Sequence, residues 1–229
     1  MKIFLINFKL QALAVASKSK ICRKFGVFAI MVFMPDFWIF FKIGLRHVLD
    51  INGYDHLLFL IALTVPFVFR DWRRILALVS VFTLGHTLSL ILSVFNVVSG
   101  NSVLVEFLIP CTILAAAIFS LVTAGKTLKP GAFSTSLFIT GFFGIIHGLG
   151  FSTYLKTMLP GTATDKLAPV IEFALGIEAA QIIIVIAVLL IAHLVQTLGK
   201  FSRRDWTLTA AAFVAGVVVP IIIESEIWK

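Results

Sequence analysis

Charge is scarce in this chain and unevenly spread. Only 13% of the 229 residues are charged, against about 25% in an ordinary soluble domain, which excludes a water-exposed globule. No acid precedes Asp36, whereas Lys2, Lys9, Lys18, Lys20, Arg23 and Lys24 all do. The formal net charge of +8 is therefore mostly a property of the first residues, and the rest, with 13 basic against 11 acidic side chains, carries only +2. That leaves no basic face for a nucleic acid. Cysteine is almost missing. Cys22 lies in the basic segment and Cys111 in an apolar run, so there is neither a disulfide framework nor a thiolate metal cage, and Cys111 reads as a small buried apolar residue.

What is abundant is hydrocarbon. The chain is 60% hydrophobic with a mean hydropathy of +1.08, and several of its runs reach the roughly 20 residues that a spanning helix needs. Those runs do not alternate in polarity as barrel strands do. The expected fold is therefore all-α: a polytopic helical membrane protein of about six transmembrane helices, preceded by an interfacial or partly inserted helix at Asp36–Leu49. The six runs are about Ile51–Phe69, Arg74–Phe95, Val103–Ala124, Phe133–Met158, Leu167–Leu198 and Trp206–Ile223. Polar or breaker-rich segments at 96–101, 125–131, 160–166 and 199–205 separate the later ones. Residues 1–33 read as a hydrophobic and basic extension ahead of a single helical domain at 34–229, and the change in charge there marks Met34 as the expected start of translation.

The loops set an orientation. Arg70, Arg73 and Arg74, then Lys126 and Lys129, then Lys200, Arg203 and Arg204 lie in alternate connections. The intervening ones hold no basic residue at 96–101, and at 160–166 only Lys166, beside Asp165. The positive-inside rule puts the basic connections in the cytoplasm. Asn52–Tyr54 and the C-terminus then face outward, in what is expected to be a bacterial inner membrane. Trp38, Trp72, Trp206 and Trp228 all fall near span ends, as an aromatic belt requires.

Ionisable groups inside such spans are costly and mark pairs, ions or water paths. Gly44–Leu60 reads GLRHVLDINGYDHLLFL and holds His47, Asp50, Asp55 and His56. At about 1.5 Å per residue, His56, His86, Glu106, His147 and Glu178 fall in the outer half of five spans. Thr83, His86, Ser89 and Ser93 form a polar stripe at helical spacing. Gly141, Gly144, Gly148 and Gly150 surround His147 and let a neighbouring helix approach. Glu178 and Gln181 share a face. FTLGHTLSL and FGIIHGLGF share Phe-x3-His-x-Leu, a hint of a duplicated unit. Imidazole with carboxylate suits zinc, nickel, cobalt or iron. The plain readings stand beside this one: an interhelical hydrogen bond for any single histidine, a helix cap for Asp50, a merely structural or supporting role for Glu106, and an interfacial place for His193.

GLRHVLDINGYDHLLFL, FTLGHTLSL, VEFLIP, FGIIHGLGF and FALGIEAAQ, in that order, resemble the HupE/UreJ family of small membrane proteins, associated with hydrogenase and urease genes and described as nickel or cobalt permeases. RHVLDINGYDH and FTLGHTLSL also look like signatures of nickel/cobalt transporters, although seven residues separate His47 from Asp55, more than in those proteins. The fifth-span pattern departs at Ala174 and Ala180 but keeps Glu178 and Gln181. The resemblance implies a divalent-metal permease in which His47, Asp55, His56, His86 and His147 replace the ion's hydration shell and Glu178 balances charge, with Asp50, Glu106 and Gln181 supporting them. The cargo or cofactor would be nickel, cobalt or zinc, the partners the bilayer and the ion, and a homo-oligomer stays open. The rival reading is an intramembrane metal-dependent hydrolase, with three ligands and an open position lowering the pKa of bound water to about 7 and Asp55 or Glu178 as general base.

A C-terminal alkaline phosphatase fusion should be active and the matching green-fluorescent-protein fusion dark. The reverse pattern would invert the topology.

Overall fold

The computed structural model describes residues 37–50, 53–126, 131–159, 162 and 165–229. The expectations for 1–33, including a start at Met34, and for Cys22 and Lys129 lie outside those residues. The described chain forms seven α-helices, two single-turn 3-10 segments and no strand. They are α1 (Phe37–Leu49), α2 (Asp55–Thr64), α3 (Trp72–Val94), α4 (Ser102–Thr123), α5 (Ala132–Met158), α6 (Leu167–Leu198) and α7 (Arg203–Ile223). This is the all-α, polytopic membrane-type fold expected. The last five, α3 to α7, are long and apolar enough to cross a membrane.

Local chemistry explains the helix bounds. The Asn101 side chain accepts the Leu104 amide at 3.3 Å and caps α4. Ser202 accepts the Asp205 amide at 3.1 Å and donates its hydroxyl to the Asp205 carboxylate at 2.6 Å, opening α7. Asn96, at φ 57°, turns the chain out of α3, and Gly131, at φ 90°, turns it into α5, where a glycine meets no steric penalty. Pro110 and Pro220 sit inside α4 and α7, as packed membrane helices tolerate.

The first expected span is corrected. Among the described residues of that run the α-helix covers Asp55–Thr64 alone, about 15 Å of rise against a hydrocarbon core of about 30 Å. Pro66 lacks the N–H that would continue the helix. The carbonyls left open at the end of α2 are taken by side chains from other helices. Ser120 of α4 donates to Ala62 O at 2.8 Å, the Thr207 hydroxyl of α7, shared with the Arg203 carbonyl at 2.9 Å, reaches Val65 O at 3.2 Å, and the Arg203 guanidinium donates to Pro66 O, its Nε at 3.1 Å. With its backbone satisfied by protein, a half-length helix can end at membrane depth.

Glycines set the closest contacts. A Cβ on Gly85 would strike the Gly141 carbonyl, and one on Gly144 or Gly148 the carbonyls of Phe82 or His86, so α3 and α5 lie backbone to backbone. Gly44 and Gly176 bring α1 and α6 together in the same way, against the carbonyls of Phe173 and Phe41. The glycines around His147 therefore serve helix approach. The two Phe-x3-His patterns lie level with each other, Phe82 and His86 beside Gly144 and Gly148. α1 is thus packed on α6, with Phe37, Gly44 and Val48 buried. α2 packs on α4, α6 and α7, and α4 on α7. Cys111 is half-buried, less enclosed than its sequence context implied.

Gly144→Ala should overpack the α3–α5 seam by about 1–3 kcal/mol and lower Tm in detergent by roughly 3–10 °C. Gly216→Ala, where a Cβ meets nothing within 4 Å, should leave Tm level or slightly raised. Equal Tm values for the two variants would contradict this packing.

Candidate metal centre

Three helices each deliver one imidazole to a single point. His47 lies in the last turn of α1, which is pinned to α6 by Gly44. His56 is the second residue of α2. His86 is held in the middle of α3 by the α5 glycines that press on its backbone. Their ligand nitrogens all lie within 4.8 Å of one another. The His47 and His56 ring centroids are 4.7 Å apart, His56 and His86 5.7 Å, and His47 and His86 6.0 Å.

His147 of α5 stands beside the three, 5.4 Å from the His56 ring. Its Nε2 lies 3.0 Å from the Thr112 hydroxyl, which spends its one proton on the Ile109 carbonyl at 2.7 Å. With that proton on Ile109, Thr112 would accept from Nε2–H, the tautomer that presents a lone pair on Nδ1. Fixing the tautomer through the far nitrogen is how supporting groups prepare a histidine ligand.

Aromatic rings close the walls. Phe151 lies 4.0 Å from His47 and stacks at 5.0 Å on Phe173, which flanks His47 and His86. Phe82 and Phe59 enclose His147 at 5.2 and 5.4 Å. Inside this box His47 Nε2, His56 Nε2, His147 Nδ1 and both His86 nitrogens are buried with no hydrogen-bond partner. Burying a polar atom unpaired costs about 1–3 kcal/mol, so several in one small volume point to a ligand that satisfies them. Nitrogens sharing one ion at about 2.0–2.1 Å stand roughly 3.3 Å apart. The three rings need move only about 1 Å to reach that geometry, and the donor set fits a borderline transition-metal ion.

The carboxylates keep other company. Glu178 accepts from Ser80 at 2.6 Å and from Thr83, and Thr83 also lies 2.9 Å from Gln181 Oε1. Asp55 and Glu106 line a separate cavity of about 190 Å³ with Tyr54 and Ile221. Neither Asp55 nor Glu178 joins the three-histidine set. Asp50 is exposed and His193 is exposed 6.5 Å from the Phe69 ring. Thr83, His86, Ser89 and Ser93 are all buried, as the stripe implied. Two contributors escaped the sequence reading. Ser80 and Thr112 are ordinary hydroxyls whose roles depend on distant partners.

A bundle of long apolar helices around a buried cluster of imidazoles defines a helical, membrane-type protein. The chain belongs to the HupE / UreJ protein family, which matches residues 26–225. No curated protein and no solved structure matches it.

Each of His47→Ala, His56→Ala and His86→Ala should lower nickel or cobalt affinity at least tenfold in the purified, monodisperse protein, and Thr112→Val should cost about tenfold through His147. His193→Ala should bind as wild type. Wild-type affinity in all three cage variants would make the histidines structural.

Proposed function

We propose that this chain is a permease for a divalent transition-metal ion, nickel or cobalt, which His47, His56 and His86 hold in transit while His147 lends a fourth nitrogen. The observation that carries this reading is the set of unpartnered imidazole nitrogens converging from separate helices inside an aromatic box. Family membership supports it, since the HupE/UreJ resemblance implies nickel or cobalt transport. The metal is the cargo, and the protein would lie in a bacterial inner membrane with the C-terminus outside.

The proposed direction runs from the end that carries Asp55 and Glu106 towards the end that carries the arginines. Asp55 and Glu106, on one small cavity beside the first turn of α2, supply negative potential where a cation arrives. Neutral imidazoles leave the double charge of the ion uncompensated, and in hydrocarbon that charge needs a counter-charge. Glu178 provides it from one turn below His86, where Thr83 anchors it. The Ser80, Thr83, Glu178 and Gln181 seam extends the polar line from His86 by six residues of α3, about 9 Å. The polar line thus continues past the histidines into the deeper part of the bundle. Release requires that this holding be weak.

Proteoliposomes containing a trapped metal-sensitive dye should take up nickel or cobalt with wild-type protein and not with His86→Ala. Glu178→Gln should keep metal binding within a few-fold and lose about tenfold in uptake rate. Wild-type protein that binds the metal yet moves none would sink the permease reading and leave a metal-binding membrane protein.

A further inference from the structure

A second, larger cavity of about 1020 Å³ lies between α2, α4, α5 and α7 at the basic end of the bundle. The mechanism above makes no use of it. Its walls are mostly apolar, with Ala62, Leu63, Ala116, Phe119, Ile139 and Phe143 among them and a few hydroxyls such as Ser136 and Thr140 between. Phe119 and Ile139 both line it and are exposed, at 47% and 42%, so it opens sideways between α4 and α5 to whatever surrounds the bundle. For a membrane helix pair that surround is lipid.

The mouth is cationic. Asp71, Arg74, Lys126, Arg203 and Arg204 border the cavity. Asp71 is committed to Arg203 at 3.7 Å, and Arg203 also holds the Pro66 carbonyl. That pair is the one salt bridge among the described residues, so Arg74, Lys126 and Arg204 stand there with no carboxylate partner. Arg74 lies 5.9 Å over the Phe133 ring, and the stem of Arg204 rests against Gly125. Three unneutralised cations therefore come together from the start of α3, the end of the turn after α4, and the start of α7.

The occupant must be anionic at one end and apolar along its length. A free anion would leave the apolar walls dry and unused. A hydrated cation would be repelled at the mouth, and a soluble protein could not reach between the helices. Basic pockets between membrane helices are a recognised setting for anionic lipid head groups, and a volume at the upper end of the range of about 300–1,000 Å³ for small-molecule sites has room for acyl chain. We propose that this cavity is a binding site for an anionic phospholipid of the adjoining leaflet, with its phosphate on Arg74, Lys126 and Arg204 and its acyl chain against the α4–α5 wall.

The test is native mass spectrometry of the full chain released from mild detergent, with phosphatidylglycerol or phosphatidylethanolamine of identical chains added. Wild-type protein should retain phosphatidylglycerol about tenfold more than phosphatidylethanolamine. The triple variant Arg74→Gln, Lys126→Gln, Arg204→Gln should lose that preference, and Ala116→Phe, which fills the wall, should lower retention of both lipids. A monodisperse elution peak and an unchanged Tm in detergent report folding in each variant, and the single variants Arg74→Gln and Arg204→Gln serve if the triple one misfolds. Equal retention of the two lipids by wild type, an undiminished preference in the charge variants, or displacement of the lipid by inorganic phosphate alone at comparable concentration would overturn the proposal.

Discussion

The carbonyls of Ala62, Val65 and Pro66 would be orphaned in hydrocarbon if α2 simply stopped there, each at a cost of several kcal/mol. Ser120, Thr207 and Arg203 reach them from α4 and α7, and much else depends on those bonds. They let α2 be short, and a short α2 places its first turn, with His56, deep enough to meet His47 and His86. They also tie α4 and α7 to α2. The same arrangement leaves room on the other side of α2 for the large cavity at the basic end. One local requirement of hydrogen bonding thus shapes both the histidine cage and the volume behind it.

The five long helices were legible because their ends are written in strong local signals: Gly, Pro, Asn and runs of Lys or Arg. The half-length α2 was not. Ile51–Phe69 is continuously apolar apart from its first few residues, and the one breaker, Pro66, fixes where a helix stops only if the freed carbonyls have donors. Those donors lie 58, 137 and 142 residues away in sequence, which no local pattern encodes. The histidines were legible for a different reason. They are few, they fall at similar depth on separate spans, and an imidazole in a membrane has few other uses. The carboxylates show where that reasoning ends. Depth follows from counting residues, but azimuth follows from neighbours. Asp55 adjoins His56 in sequence, yet successive helical residues point about 100° apart, and Asp55 turns to the Glu106 side while His56 turns inward. Glu178 has suitable depth, and the hydroxyls of Ser80 and Thr83 decide its direction.

The glycines read as points of helix approach do bring helices together, and in doing so they remove room. By bringing α3 against α5 and α1 against α6, they leave the imidazoles no alternative but to face one another. The stacking of helices in pairs also explains why a repeated Phe-x3-His pattern is useful. With the two parallel helices in contact at matching levels, Phe82 of the first copy reaches the His147 ring of the second on α5 and helps to enclose it.

The stacked pair Phe151 and Phe173, closed against His47, has a consequence for what such a box admits. An ion entering it would exchange most of its water for imidazole nitrogen, with aromatic rings walling the nitrogens on the Phe151 and Phe173 side and the Glu178 carboxylate a turn away. Magnesium and calcium, which favour oxygen and in the case of magnesium give up water reluctantly, would lose more on dehydration than nitrogen can return. Ions further along the first transition row gain more from nitrogen than they lose. Discrimination among cations would then come from the cost of leaving water, set by rings that form no bond to the ion at all.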